Sequence, residues 1–413
     1  MKATSIRFMT TVAATCLIAG SALAQGTLNV AVQGTPANKR AMEAILPDFE
    51  AQTGTSVEVE YIGGNYGAVI TTRLQGSNAP DMMTLVPGGA TPFSVFNMAE
   101  AGRLADLSGA AFVDRIAEDT MPLVATDGAV YAWPATVQVS GLIVNEDILA
   151  ENDLSVPTTQ DELFALCGAL RDKGITPFAW SGTPESRSAG QATTVAGSVG
   201  AASVEVNAPI NAAEANYADS AEWRGVVETI SQMVEAGCLD PDSATMSDGQ
   251  AAGMMLRGAA AMMMNSTQML GYILASDETG SLNLKVHAFP GVAAEDTTVL
   301  ITPYDAFAVS AVSENKEAAI AFLDYLSQPE VQRVIAGALG NIAPVDAAEA
   351  TLPETLMPLA PYFETDRVQV NPVMSWRGGR VYLTMSRGVQ GLLTGQLTPD
   401  TVLADMDAAN RDR

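Results

Sequence analysis

The sequence holds a single histidine, His287, and it falls inside an alternating apolar stretch with Leu282, Leu284 and Val286. Acid–base or nucleophilic catalysis needs a nucleophile beside a base, or two carboxylates around one bond. No such set stands out, so His287 is read as a structural strand residue. Metal chemistry fares no better. Asp240, Asp242 and Asp248 cluster in DPDSATMSDG, but their spacing lacks the pattern and late glutamate of a calcium loop, and helix capping is the expectation. Met254, Met255 and Met262 to Met264 carry the thioethers that Cu(I) favours. Consecutive strand residues face opposite sides, however, so these methionines are read as core filling. Nothing here calls for a cofactor.

Aromatic rings beside planar polar groups are a separate pattern with its own chemistry. A sugar offers an apolar C–H face and pairs of neighbouring hydroxyls, which flat rings and amide, carboxylate or guanidinium groups match. Three places fit: Trp376-Arg377 before Gly378-Gly379, Tyr304-Asp305, and Trp180 at the end of P-x-x-W. Gln33, Asn65, Tyr66 and Gln138 join them by position, at strand ends or on the connection between halves, where amides can fork onto hydroxyls. Trp133 in YAWP is read as structural.

The elements that would position these residues follow from periodicity. Leu28, Val30 and Val32 alternate, Met42, Ile45, Leu46 and Phe49 repeat at helical spacing, and Val57, Val59 and Tyr61 alternate again, which makes a β-α-β unit. Pro47 inside that helix predicts a kink or a break. A third strand, Asp81 to Val86, ends in Pro87-Gly88-Gly89. Strands alternating with helices imply a mostly parallel sheet, with ligands at the carboxyl ends: Gln33 to Pro36, Gly63 to Tyr66 and Pro87 to Thr91.

Asp127 to Asn145 reads as strand, proline stop and strand with no helix between, so the chain leaves one unit here and enters another. Thr159 with Glu162 forms a capping box ahead of Leu163, Leu166, Cys167 and Leu170. A second helix starts near Asp219, carries Trp223, Val226, Val227 and Ile230, and ends at Gly237. Residues 181–218 lack periodicity and read as a long loop or short helices over the groove. Val299 to Val309 makes a second crossing and Asn341 to Val345 a third.

Lys2, Arg7, the apolar run from Phe8 to Ala22 and Ala22-Leu23-Ala24 match a secretory signal cut before Gln25. Loss of Lys2 and Arg7 takes the net charge of −26 to −28, a surface that repels nucleic acid and anionic membrane. The 413 residues less this segment exceed the roughly 250–300 that one core organises, so two domains are expected. Cys167 and Cys238 are then the remaining cysteines, and an even count in an exported chain favours a disulfide.

Asp127-Gly128, Tyr131, Pro134, Gly141-Leu142 and Asn145, then Gly258 to Asn265 as G-x-A-A-M-x-x-N, then Ala319, Phe322, Leu323, Leu326 and Pro329-Glu330 come in the order seen in one family. The chain resembles the family 1 extracellular solute-binding proteins, the sugar-capturing subunits of ABC importers, and glucose- and maltose-binders among them. The resemblance implies an α/β fold of two lobes joined by three hinge crossings, of the type II kind. It implies an N-lobe of residues 25–135 plus 303–343 and a C-lobe of 136–302 plus 344–413. It also implies a periplasmic monomer that passes a mono- or disaccharide to a membrane permease, a Cys167–Cys238 bond, and ligand contacts from Asp305 and Trp376. Where relatives carry G-x-W, this chain has Ser266, Thr267 and Gln268, so either Gln268 hydrogen-bonds in place of the ring or the ligand differs. A polyamine cargo on the same fold, or a secreted carbohydrate-active enzyme, are the rival expectations.

Overall fold

The computed structural model describes residues 27–76, 78–183, 187–376 and 379–412. The expected signal segment, with its cut at Ala24/Gln25, and Arg377 lie outside the described residues. Strands β1 (Leu28–Gln33), β2 (Val57–Ile62) and β3 (Met82–Leu85) lie parallel in the order β2-β1-β3. Helices Pro36–Thr53 and Tyr66–Gln75 connect them. The first buries Ala41, Met42, Ile45 and Phe49 and runs unbroken through Pro47, where the sequence predicts a kink or a break. Pro47 is exposed, so the carbonyl it leaves without a donor lies on the solvent side and can be hydrated.

A two-residue ladder, β4 (Ala125–Thr126) with β5 (Ala129–Val130), turns the chain at Asp127-Gly128 into β6 (Ala132–Asn145), which is buried along its whole length. Here the sequence reading is corrected. Pro134 lies inside a single strand, because pairing with β10 (Val299–Val309) continues on both sides of it, from Tyr304↔Thr136 to Phe307↔Trp133. The proline removes one donor without ending the ladder. β7 (Thr176–Ala179), β8 (Ala260–Ser266), β9 (Leu284–His287) and β11 (Val368–Val370) complete a sheet of order β2-β1-β3-β10-β6-β8-β7, with β9 on β6 and β11 on β10.

β10 and β6 cross between the two halves of the molecule. β10 pairs with β3 from Ala306 to Val309 and with β11 from Val299 to Ile301, so its partner changes around Asp305. A third link runs beside β6, where Val137 and Ile342 exchange both backbone hydrogen bonds at 2.9 Å. One apolar core gathers Leu28 to Ala135 with Ala306 to Leu339. Two more cover the second half, one around Leu163, Trp180, Trp223 and Met406, the other around Val139, Met263 and Ile301.

Helix Gln160–Asp172 starts where expected: the Thr159 hydroxyl accepts from Glu162 N–H. The Glu162 carboxylate reaches back to Thr158 N–H at 2.7 Å rather than to Thr159, so the box is displaced by one residue. Ser220, not Asp219, caps helix Ala221–Glu235. Cys167, on the buried face of the first helix, is disulfide-bonded to Cys238, just past the second, with Cα atoms 5.0 Å apart. Residues 187–211 form short helices, Arg187–Ala192, Thr193–Val199 and Val204–Asn211. Thr193 to Ser198 is buried, so this segment is wall rather than lid. Met255 and Met262 to Met264 are fully buried, in keeping with core filling. Among the described residues no helix is long and apolar enough to cross a membrane, and no metal-binding cluster occurs.

Candidate ligand-binding groove

The candidate groove is the seam between the two halves, and residues 86–93, past the carboxyl end of β3, form its wall on the first side. Gly89 N–H donates to the Met374 carbonyl at 3.2 Å, and Val86, Ala90 and Leu123 share a core with Val373, Met374 and Trp376. The two halves therefore touch at the mouth of the groove. Phe93 packs against the cores of both halves, its ring 6.2 Å from that of Tyr66.

The floor is made by the crossing strands. Asp305 sits in the left-handed region, φ +49, and its Oδ2 accepts from the Thr136 hydroxyl at 3.1 Å. Burial pushes the carboxyl up to about 6, with the Thr136 bond opposing. Tyr304 is half-buried, and its hydroxyl is pushed up to about 12 by burial and the Asp305 carboxylate, while Arg187 pulls the other way. Gln138, one strand over, is buried, and its Nε2 has no hydrogen-bond partner among the described residues. A buried amide donor left open is costly, and a ligand oxygen would satisfy it.

The far wall comes from helices of the second half. Arg187 Nε pairs with Asp248 Oδ2 at 2.7 Å, and the Ser181 hydroxyl donates to the other Asp248 oxygen at 2.7 Å. Tyr382 stands beside this pair: burial raises its hydroxyl, Arg187 opposes that, and Asp248 adds to it. Behind it, Trp376 is caged by Tyr217 at 5.9 Å, Trp223 at 5.3 Å and Tyr382 at 6.5 Å between ring centroids.

The model of the bacterial extracellular solute-binding protein family matches residues 33–333. The chain belongs to this family. Among curated relatives, a multiple sugar-binding protein of Streptococcus mutans is 27% identical over 143 residues, 34% of this chain and 33% of the relative. A probable sugar-binding periplasmic protein of Rhizobium meliloti is 25% identical over 189 residues, 43% and 44% of the two chains. The chain thus aligns with less than half the length of either. Two solved structures share the two-lobed fold. The solute-binding protein RafE in complex with raffinose has a TM-score of 0.76 at 22% identity, covering 94% of this chain and 99% of that one. A sugar transporter protein of Bacillus licheniformis in complex with stachyose has 0.71 at 19%, covering 94% and 100%.

In this solute-binding protein the residues named from sequence are distributed unevenly around the groove. Asp305, Tyr304 and Gln138 lie together on the crossing strands. Asn65 is exposed and its Oδ1 caps the following helix through Ala68 N–H; Gln33 is exposed at the end of β1. The Tyr66 hydroxyl is taken up by the sheet, donating toward the carbonyls of Ala31 at 3.1 Å and Thr84 at 2.8 Å. Trp180 and Trp376 are fully buried, where the sequence reading set Trp180 beside ligand rather than in the core. Gln268 is exposed on helix Thr267–Ala275. His287 meets Glu146 at 2.9 Å, and burial lowers its affinity for a proton.

Sequence reasoning missed Phe93, Thr136, Arg187, Asp248 and Tyr382. Phe93 lies two residues past the strand-end loop Pro87 to Thr91 already singled out, so its aromatic ring was a usable signal. Arg187 and Asp248 come together only through the fold, with Asp248 in the first turn of helix Asp248–Leu256 behind a Ser247–Gln250 capping box.

Proposed function

We propose that this solute-binding protein captures a neutral carbohydrate, a mono- or disaccharide, in the groove and delivers it to the permease of an ABC importer. The observation that carries this reading is the set around Asp305: a carboxylate, the open amide of Gln138, the Arg187–Asp248 pair, and the rings of Tyr304, Tyr382 and Phe93. Vicinal hydroxyls suit such planar groups, and the rings suit a C–H face. The sugar-binding names of the relatives support the class of cargo. Asn65 and Gln33 complete the proposed contact set from the rim, with Gln268 beyond it; Arg377 joins the set by its place in the sequence after Trp376, and Tyr66, Trp180 and Trp376 contribute behind it as support.

In the same reading the lobes are residues 25–135 plus 303–343 and 136–302 plus 344–413, which the division of the apolar cores supports. Residues 1–24 act as the export signal, and the mature chain works in the periplasm as a monomer. The net charge keeps a polyamine as second reading, but the Arg187 guanidinium beside Tyr304 and Tyr382 disfavours a polycation. A thermal-shift screen of mono-, di- and trisaccharides and polyamines tests the assignment. A sugar that raises the melting temperature is the expected result; a response to polyamines alone overturns it.

A further inference from the structure

A string of hydrogen bonds passes through all three connections between the lobes. Val139 N–H donates to the Thr267 hydroxyl at 3.3 Å. Thr267 donates to Asn341 Oδ1 at 3.2 Å, Asn341 Nδ2 donates to the Thr136 hydroxyl at 3.2 Å, and Thr136 donates to Asp305 Oδ2 at 3.1 Å. Val139 and Thr136 belong to the first crossing, Asp305 to the second and Asn341 to the third, while Thr267 opens the helix that follows β8.

The polarity of this string follows from its ends. A backbone N–H can only donate and a carboxylate can only accept. Each hydroxyl between them accepts one bond and donates the next, and the amide is oriented by the same requirement. Aligned donors polarise one another, and here the last bond meets a charge in a partly desolvated place. Thr136, Thr267 and Asn341 are buried, so water does not readily replace a lost member. Neither Asn341 nor Thr267 touches the carboxylate itself.

We propose that Asn341 and Thr267 are positioning residues for the groove: acting through Thr136, they hold the Asp305 carboxylate ionised and aimed, in one relative placement of the three crossings. The proposal rests on the reading of Asp305 as a groove carboxylate. A change at the third crossing, or at the start of the helix behind Gln268, is therefore felt at Asp305. It assigns a role to the stretch where this chain lacks the family's G-x-W, since Thr267 takes the central place there.

The test is a proton titration and needs no sugar. Carbonyl-13C spectra of the mature chain, with the Asp305 signal assigned by its loss in Asp305→Asn, are followed against pH. The neighbouring Tyr304 and Tyr66 hydroxyls both titrate far above this range, and Arg187, Asp248 and Tyr382 stand behind Tyr304. Thr136→Val should raise the Asp305 midpoint by about one pH unit, and Asn341→Ala and Thr267→Val by roughly half as much, because each weakens the bond to the charge. Thr136→Ser, which keeps the hydroxyl, should restore the wild-type midpoint. Unmoved midpoints in folded Asn341→Ala and Thr267→Val overturn the relay, as does a rise in Thr136→Ser equal to that in Thr136→Val. A null sugar screen would overturn the carbohydrate reading and leave these midpoints as they are, so the two failures are distinct.

Discussion

Gly88 and Met374 meet backbone to backbone across the groove. A Cβ added to Gly88 would lie 1.8 Å from the Met374 carbonyl oxygen and 2.8 Å from its carbonyl carbon, and the φ of Gly88 is +74°. The neighbouring Gly89 N–H donates to that same carbonyl. Contact between the lobes thus depends on a bare backbone at position 88, for space and for conformation alike.

Gly88→Ala should therefore hold the lobes apart. The left-handed backbone alone costs about 1 kcal/mol with a side chain present, and the clash with a backbone carbonyl cannot be relieved by a rotamer change. We expect affinity for the screened sugar to fall at least about tenfold, or 1.4 kcal/mol. Ligand bound between hinged lobes should draw them together in the wild type, so small-angle scattering should show its radius contracting at saturation while the variant keeps the unliganded radius. A radius that contracts as in wild type would show that the Gly88–Met374 contact is dispensable for closure.

Trp376 tests what a tryptophan beside a groove is for. A stacking platform shows one face to solvent or ligand, whereas Trp376 is 1% exposed and enclosed by Tyr217, Trp223 and Tyr382. Trp376→Ala should lower unfolding stability by about 3–5 kcal/mol, as loss of a large buried ring does. Urea melts of the unliganded protein measure it. A wild-type melting curve with weakened sugar binding would return this residue to the ligand-facing set.

The pattern of strands was legible because alternation and helical spacing report burial directly: the three parallel strands, both crossing strands and the buried face of helix Gln160–Asp172 all follow from it. The groove was less so. Residue type cannot separate a stacking ring from a core ring, and Trp180 and Trp376 depend on what packs over them. Arg187 and Asp248 lie on separate helices, and no spacing rule links residues that only tertiary packing brings together. Pro134 shows the opposite case, a local stop signal overridden by pairing on both sides of it.

The Cys167–Cys238 bond closes a separation of 71 residues within the second lobe. In the chain-entropy account that is worth roughly 4 kcal/mol, acting on the unfolded chain. Reduction should lower the melting temperature while the order of preference among screened sugars stays the same, because neither cysteine faces the groove. Two titratable thiols in the unfolded, unreduced protein would show that the bond does not form.

Asp305→Asn should separate stability from binding. The carboxyl is raised to about 6 in the folded chain from the ordinary aspartate value of 3.8, so between those values the native state holds more protons than the unfolded one. Stability contributed by that proton is present below the unfolded value and lost as pH rises through the folded one. Above about pH 6 the wild type carries the full cost of a desolvated charge, and Asn removes it. Asn also tolerates the left-handed backbone that Asp305 adopts. The variant should accordingly be more stable than wild type at pH 7.5 by about 1–3 kcal/mol, the gap closing toward pH 4. Sugar binding should move the other way. Replacing charge-assisted bonds to hydroxyls by neutral ones costs about 1.5–3 kcal/mol, read by calorimetric titration as a loss of affinity of roughly 10- to 150-fold. Urea melts at both pH values decide the first half: a variant less stable at pH 7.5 would mean that the Thr136 bond outweighs desolvation. Wild-type affinity in the same variant would remove Asp305 from the sugar's contacts and leave it as a hinge residue alone.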